Sequence, residues 1–256
     1  MSDTQVKAFW EARAQDHSLT DAETTHHDVW QRWLEIETIK RYLRPTDRLI
    51  DVGCGSGYAT RILAPLVREV VGVDYSESMI ARAREVGPVS ASVRFEVADV
   101  LALDAGGLGV FDTALSVRCL INLADWERQQ EALDQVANVL RPGGRFILVE
   151  GWADGRRALN DMRTRVGLDQ MPRVWHNVDF EEQALLTFLA RRFDVEDRRH
   201  FGVYDFVARV VHPMTVAPEA PTYDSPINRT AAQLALHMQD FGAISRVAFL
   251  VLRKKA

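Results

Sequence analysis

Residues 49–60 read LIDVGCGSGYAT. An apolar, β-branched run breaks into three glycines at alternate positions, Gly53, Gly55 and Gly57, and an amphipathic segment follows. The pattern predicts a strand, a tight turn and a helix. A glycine-rich turn at such a junction lets the backbone approach a ligand closely, and the helix N-terminus behind it favours negative charge. The dinucleotide-binding spacing G-x-G-x-x-G is not met, because Tyr58 stands where its third glycine belongs. Asp51, two residues before the first glycine, is the second departure. Beside a pyrophosphate its charge would repel by about 1–4 kcal/mol at contact distance; beside an ammonium it attracts. The stretch therefore points to a nucleoside that carries an amino-acid tail.

Outward from this turn, RLIDV, EVVGVD, VRFEVAD, FDTALSV and GRFILVE read as strands, and YATRILAPL, SESMIARAREV and DWERQQEALDQVANVL as helices between them. Ser76 and Asp125 are the expected N-caps, and Pro142-Gly143-Gly144 the expected end of the last of these helices. Such alternation predicts an α/β fold, a three-layer, doubly wound and mostly parallel sheet with helices on both faces. Ligands of such sheets lie beyond the carboxyl ends of the strands. Asp74 ends the second strand about 20 residues after the first glycine, the position of an acid that holds both ribose hydroxyls. Asp99 closes the third strand at the same edge. After residue 150 the pattern changes: EEQALLTFLARRF and NRTAAQLALHMQDF read as helices, DVEDRRHFGVYDF and SRVAFLVLRKK as strands.

Taken in order, LIDVGCGSG, VVGVDYSESMI, FEVADVLALD, FDTALSVRCLINL and LRPGGRFILVE resemble the successive motifs of the class I S-adenosylmethionine (SAM)-dependent methyltransferases, over about residues 45–150. The resemblance implies SAM as cofactor and a seven-stranded sheet whose last strand, SRVAFLVLRKK, runs antiparallel. It implies the glycine loop (Gly53, Gly55, Gly57) and Asp51 near the methionine tail, Asp74 on the ribose and Asp99 near the adenine. Met79 would pack on the nucleoside, Ser116 and Arg118 would lie beside the methionine moiety, and Tyr75 and Val100 belong to the same cofactor site. The opening FWEARAQDH is similar to the family's N-terminal lid helix, with His17 where a tyrosine often stands. The implied organisation is a helical lid over 1–45 and a Rossmann-like domain over 46–256, with acceptor-site insertions at 151–180 and 203–243. The family's Asn/Asp-Pro-Pro-Tyr signature for exocyclic base nitrogens is absent, and SVRCLI occupies its place.

Composition narrows the acceptor. The formal net charge is −5 and the basic clusters are short and interleaved with acids, which disfavours nucleic acid and favours a small, non-anionic molecule. No run approaches the about 18 apolar residues of a membrane span, and MSDTQVKAFWEARAQD lacks a secretory pattern. Cys54 and Cys119 match no metal-ligand spacing. A cytoplasmic protein with reduced thiols, no metal site and a monomeric or homodimeric state is the expectation. The chain is similar to stand-alone methyltransferases of bacterial glycan and secondary-metabolite pathways, so methylation of a small-molecule hydroxyl leads. N- or C-methylation is the alternative, and an NAD(P)-dependent oxidoreductase the more remote one.

A hydroxyl acceptor calls for a base, and histidine serves near neutral pH. His176, in the polar and aromatic RVWHNVDF, is the first candidate. His212, expected extended before Pro213, is the second. His26 and His27 are adjacent, so at most one of them faces a site. Trp152, Trp175, Asn177 and Tyr204 are the expected acceptor wall. Glu150 ends the fifth strand, facing either acceptor or solvent.

Overall fold

The computed structural model describes residues 2–87, 92–238 and 241–256. Three helices come first: α1 (Asp3–Gln15), α2 (Asp21–Thr25) and α3 (Val29–Lys40). Each starts on a side chain that accepts a main-chain N–H of its first turn, Ser2, Thr20 and Asp28 respectively. Strands β1 (Arg48–Val52), β2 (Glu69–Asp74), β3 (Val93–Val97), β4 (Phe111–Val117), β5 (Leu140–Gly151), β6 (Phe193–His200) and β7 (Val247–Lys254) form one sheet in the order 3-2-1-4-5-7-6. β7 slots between β5 and β6 and is antiparallel to both, while the other neighbours pair in parallel. The seven-stranded sheet implied by the sequence is therefore present.

Alternate residues of the strands feed two cores. Ile50, Val52, Ala114, Phe146 and Leu148 pack on one face with Leu133 and Val136 of the helix Trp126–Val139. Leu49, Val70, Leu115, Ile147 and Val149 pack on the other with Leu34 and Ile39 of α3 and Ile80 of α5 (Glu77–Val86), which follows α4 (Tyr58–Leu63). Ser76 and Asp125 cap their helices as expected. Val52 is level with Val73 on one side and with Ser116 on the other, so the carboxyl ends of β2, β1 and β4 make one edge. The chain passes from β1 to β2 on one side and returns from β3 to β4 on the other, which opens a crevice at that edge.

Three local expectations change. The run DVEDRRHFGVYDF is a strand only to His200, because its partner β7 begins at Val247 and the ladder ends at His200–Ala248; Gly202–Phe206 is helical. His212 is helical (φ −57°, ψ −52°), not extended. A π-turn over Val207–Val211 widens the helix just before Pro213, so a proline without N–H is tolerated in the next turn. The helix Trp126–Val139 ends before Pro142-Gly143-Gly144, which lies inside the irregular start of β5. The expected last helix runs Pro226–His237, and its extension through Gln239 and Asp240 lies outside the described residues.

Candidate functional site

At the end of β1 the chain turns on left-handed glycines, with φ of 72° at Gly53 and 55° at Gly55. The N–H groups of Gly53 and Cys54 donate to the Val73 carbonyl at 2.8 and 3.0 Å, which ties the turn to β2. A Cβ on Gly53 would lie 2.4 Å from the Cys119 side chain, so only glycine fits between the two loops. The Gly55 N–H donates to Asp74 Oδ2 at 3.0 Å, and Ser76 N–H to Asp74 Oδ1 at 2.9 Å. These bonds aim the Asp74 carboxylate across the mouth of the loop. Asp51, buried below it, accepts the Thr60 hydroxyl at 2.5 Å through Oδ2.

Among the described residues neither Asp51 nor Asp74 has a salt-bridge partner. Burial pushes each carboxyl up to about 6; the hydrogen bonds from Thr60, and from Ser76 and Gly55, offset part of that, and Asp74 adds a like charge against Asp51. A buried carboxylate and a half-buried one, neither ion-paired and only Asp74 within reach of a more distant cation, Lys7, fit a ligand that brings an ammonium to one and two hydroxyls to the other. Such a ligand needs both ionised, and two interacting groups titrate as a pair. Affinity for S-adenosylhomocysteine (SAH) should therefore be flat above about pH 7 and fall as pH drops through about 6, by up to about tenfold per pH unit for each proton taken up. Calorimetric titrations at pH 5, 6, 7 and 8 check this; an affinity constant across that range would refute the carboxylate assignment.

The same cavity is lined by Tyr75, Met79, Asp99 and Val100. Lys7 of α1 lies 5.7 Å from the centre of the Tyr75 ring, and Asp99 caps the turn Val100–Ala102 through Leu101 N–H at 2.9 Å. Gly57 does not line it; it caps α4 in a left-handed conformation against the Phe95 ring. Arg118 does line it, with φ +51°, and donates to Glu35 Oε2 at 2.6 Å. Ser116 stands one layer back, and its hydroxyl donates to Glu150 Oε1 at 2.8 Å. Glu150 faces neither acceptor nor solvent. It is buried and also accepts the N–H groups of Cys119 and Leu120 at 3.1 and 3.0 Å and of Ile121 at 3.3 Å. Burial outweighs those four donors and pushes its carboxyl up to about 7.

The opposite wall comes from the N-terminal helices: Trp10 of α1, Thr25 of α2, His26, and Arg32, Glu35 and Ile36 of α3. Trp10 donates its indole N–H to Asn122 Oδ1 at 3.2 Å, and Asn122 donates to the Arg118 carbonyl at 2.7 Å. α1 is thereby fastened across the loop that follows β4. His27 is exposed, while His26 lines the cavity with Nδ1 2.9 Å from the Asp28 carbonyl. A carbonyl only accepts, so Nδ1 carries the proton and Nε2 keeps its lone pair. Burial, then the guanidiniums of Arg118, Arg32, Arg209 and Arg246, hold this imidazole well below its usual range, and it is neutral at physiological pH.

Residues 49–144 match a family model described as a methyltransferase domain. The segment from β1 to the start of β5 is thus similar to methyltransferase domains. Its curated relatives include a demethylmenaquinone methyltransferase of Symbiobacterium thermophilum, 30% identical over 127 residues, which are 47% of this chain and 49% of that protein. An O-methyltransferase, cnsE, of Penicillium expansum is 33% identical over 108 residues, 41% of this chain and 38% of that protein. The chain thus spans about half or less of the length of these relatives. The N-methyltransferase NodS of Bradyrhizobium japonicum, solved with SAH, has the same fold over 98% of this chain and 99% of its own, with a TM-score of 0.61 and 14% identity.

Asp51, Gly53, Gly55, Asp74, Tyr75, Met79, Asp99, Val100 and Arg118 all line this cavity. The expected bases and acceptor wall do not. His176 packs behind Trp10, its ring centre 4.7 Å from Phe9, 5.4 Å from Trp10 and 5.1 Å from Trp175, with Nδ1 buried and unpartnered. His212 is buried against Asn228, Nδ1 to Oδ1 3.1 Å. Trp152 is buried and donates to Glu182 at 3.1 Å, and Tyr204 is buried with its hydroxyl 2.5 Å from Asp28 Oδ1. Asn177 lies in a turn closed on Val174, and Trp175 is 54% exposed on the far side of His176. None of these six lines the cavity. Of His26 and His27, either of which could have faced a site, it is His26 that does, and sequence reasoning passed over Arg32 and Glu35 of α3. The signal for them was slight: a helix, opened by the Asp28 N-cap, whose polar positions face inward.

Proposed function

We propose that the protein transfers the methyl group of SAM to a hydroxyl of a small molecule, a sugar or a secondary metabolite. The observation that carries this reading is the continuity of the Asp51–glycine-loop–Asp74 pocket with a chamber holding a neutral histidine of defined tautomer. Bound SAM supplies an already activated methyl on a sulfonium, so the chain's task is to hold and align the acceptor, worth about 7–11 kcal/mol, and to manage one proton. Asp51 would receive the ammonium, Asp74 the ribose hydroxyls, and Met79 and Val100 the nucleoside. His26 Nε2 would take the hydroxyl proton, with the imidazolium held by the Asp28 carbonyl. α1 to α3, the lid over 1–45, would exclude water, with Trp10–Asn122 as its latch.

Calorimetry with SAH and with NAD tests the cofactor assignment; micromolar SAH binding without NAD binding is the expected result, and the reverse refutes it. His26→Gln should then bind SAH within about twofold of wild type yet lose about 10²- to 10⁴-fold in turnover of a hydroxyl acceptor drawn from a panel of sugars and phenols. An unchanged rate would shift the reading to an amine, which needs no base.

A further inference from the structure

Among the described residues of the insertion 203–243 none lines the cavity, yet this segment reaches the residue that holds His26. Asp28 is the link. Its main-chain carbonyl accepts Nδ1–H of His26 at 2.9 Å and the first intrahelical bond of α3, from Arg32 N–H at 3.1 Å. Its carboxylate is buried and held from three sides. The Gln31 N–H and the Tyr204 hydroxyl donate to Oδ1 at 3.1 and 2.5 Å, and the Arg209 guanidinium donates to Oδ2. In a regular α-helix residues five apart point about 140° apart, so Tyr204 and Arg209 would not meet one carboxylate. The π-turn Val207–Val211, in which Arg209 sits, removes that divergence: the Arg209 guanidinium lies 5.7 Å from the centre of the Tyr204 ring. Arg163 in turn donates to the Arg209 carbonyl inside that turn.

We propose that Tyr204 and Arg209 are positioning residues for methyl transfer: by fixing Asp28 they hold the carbonyl that keeps the proton of His26 on Nδ1 and leaves the lone pair on Nε2. This rests on the reading of His26 as the base, and it gives the π-turn and the 203–243 insertion a task behind the site in place of the acceptor wall. The bond from Arg32 N–H ties the Asp28 carbonyl only to its own helix. Tyr204 and Arg209 tie the same residue to a second part of the fold, and Arg209 also balances the buried Asp28 charge beside the imidazole. Charged groups from every side act on the titration of His26: Arg32 of α3, Arg118 after β4, Arg209 of the π-turn and Arg246 before β7, with Glu35 of α3 on the same cavity. The tautomer does not follow the sum of these charges. It is set by the hydrogen bond that Nδ1 makes, so it reports directly on the Asp28 carbonyl.

The test is nitrogen NMR of the full chain carrying isotope-labelled histidine, at slightly alkaline pH, with His26 assigned by the resonances lost in His26→Gln. In wild type the His26 proton is expected on Nδ1 alone. Tyr204→Phe and Arg209→Met should release Asp28 and give a mixture of the two neutral tautomers. Turnover of a hydroxyl acceptor should fall about tenfold to a hundredfold in both, with SAH affinity within about twofold of wild type. Arg209→Lys, which keeps the charge and a donor, should restore the single tautomer. Tyr42→Phe removes a comparable hydroxyl–carboxylate bond, to Asp197, outside the cavity; it should lower the melting temperature and leave the His26 tautomer as in wild type. Should Arg209→Met not fold, Tyr204→Phe, which removes a single hydroxyl, decides alone. An unchanged His26 tautomer in Tyr204→Phe overturns the proposal, and so does a proton on Nε2 in wild type. A tautomer that shifts in these variants while His26→Gln keeps wild-type turnover refutes the base reading instead, and the hold of Asp28 on the ring stands.

Discussion

Asp51→Ala should weaken SAH binding by about 2–4 kcal/mol, on the order of a hundredfold, and leave 5′-methylthioadenosine binding within about twofold. The reasoning is electrostatic. Asp51 is buried, carries no cation of the protein, and has one oxygen already satisfied by Thr60. In the unliganded protein its charge is penalised by burial, so an arriving ammonium relieves that penalty as well as forming a charge-assisted hydrogen bond. Alanine removes both gains, whereas 5′-methylthioadenosine has no amino-acid tail to lose. Asp51→Asn should behave similarly, since the neutral amide keeps the shape and the Thr60 contact. Calorimetry on the two ligands separates the cases: equal losses for both would mean that Asp51 supports the loop and does not meet the ammonium.

The second large effect lies one shell deeper. Glu150→Ala should destabilise the fold by about 3–5 kcal/mol, because the N–H groups of Cys119, Leu120 and Ile121 and the Ser116 hydroxyl lose their common acceptor inside the protein. In a chain of this size that is a fall of roughly 10 °C in melting temperature. SAH binding should weaken too, since that loop carries Arg118 and Cys119 into the cavity. Glu150→Gln keeps one acceptor oxygen and should cost much less. The carboxyl titrates near 7 in the fold, above the ordinary glutamate value of 4.5. A raised acid favours the fold while protonated, so its contribution is full below about 4.5 and is lost as pH rises to about 7. Wild-type stability should lose that part over this window and Glu150→Gln should not. Denaturant unfolding at pH 5 and 8 decides it; parallel pH slopes in the two proteins would place the titration elsewhere.

The sequence alone determined the cofactor half of this protein. Strands, glycine turn and strand-end acids are local features: Asp51, Gly53 and Gly55 fall within five residues, and the period-2 burial of β1, β2 and β4 follows from side-chain alternation. Gly53 and Gly55 could be placed beforehand because a left-handed turn there demands glycine whatever surrounds it. Tertiary structure decided the other half. His26 faces the cavity and His176 does not because α1 crosses the sheet edge and puts Trp10 between His176 and the opening. Glu150 becomes a buried acceptor only when the chain after β4 folds back onto β5. Arg32 has no carboxylate partner because Glu35 is taken by Arg118, 83 residues away, and Asp21 by Arg61, 40 residues away. Helical and strand periodicity report burial one element at a time. The allocation of charges among partners distant in sequence carries no period, so it emerges only once the elements are packed.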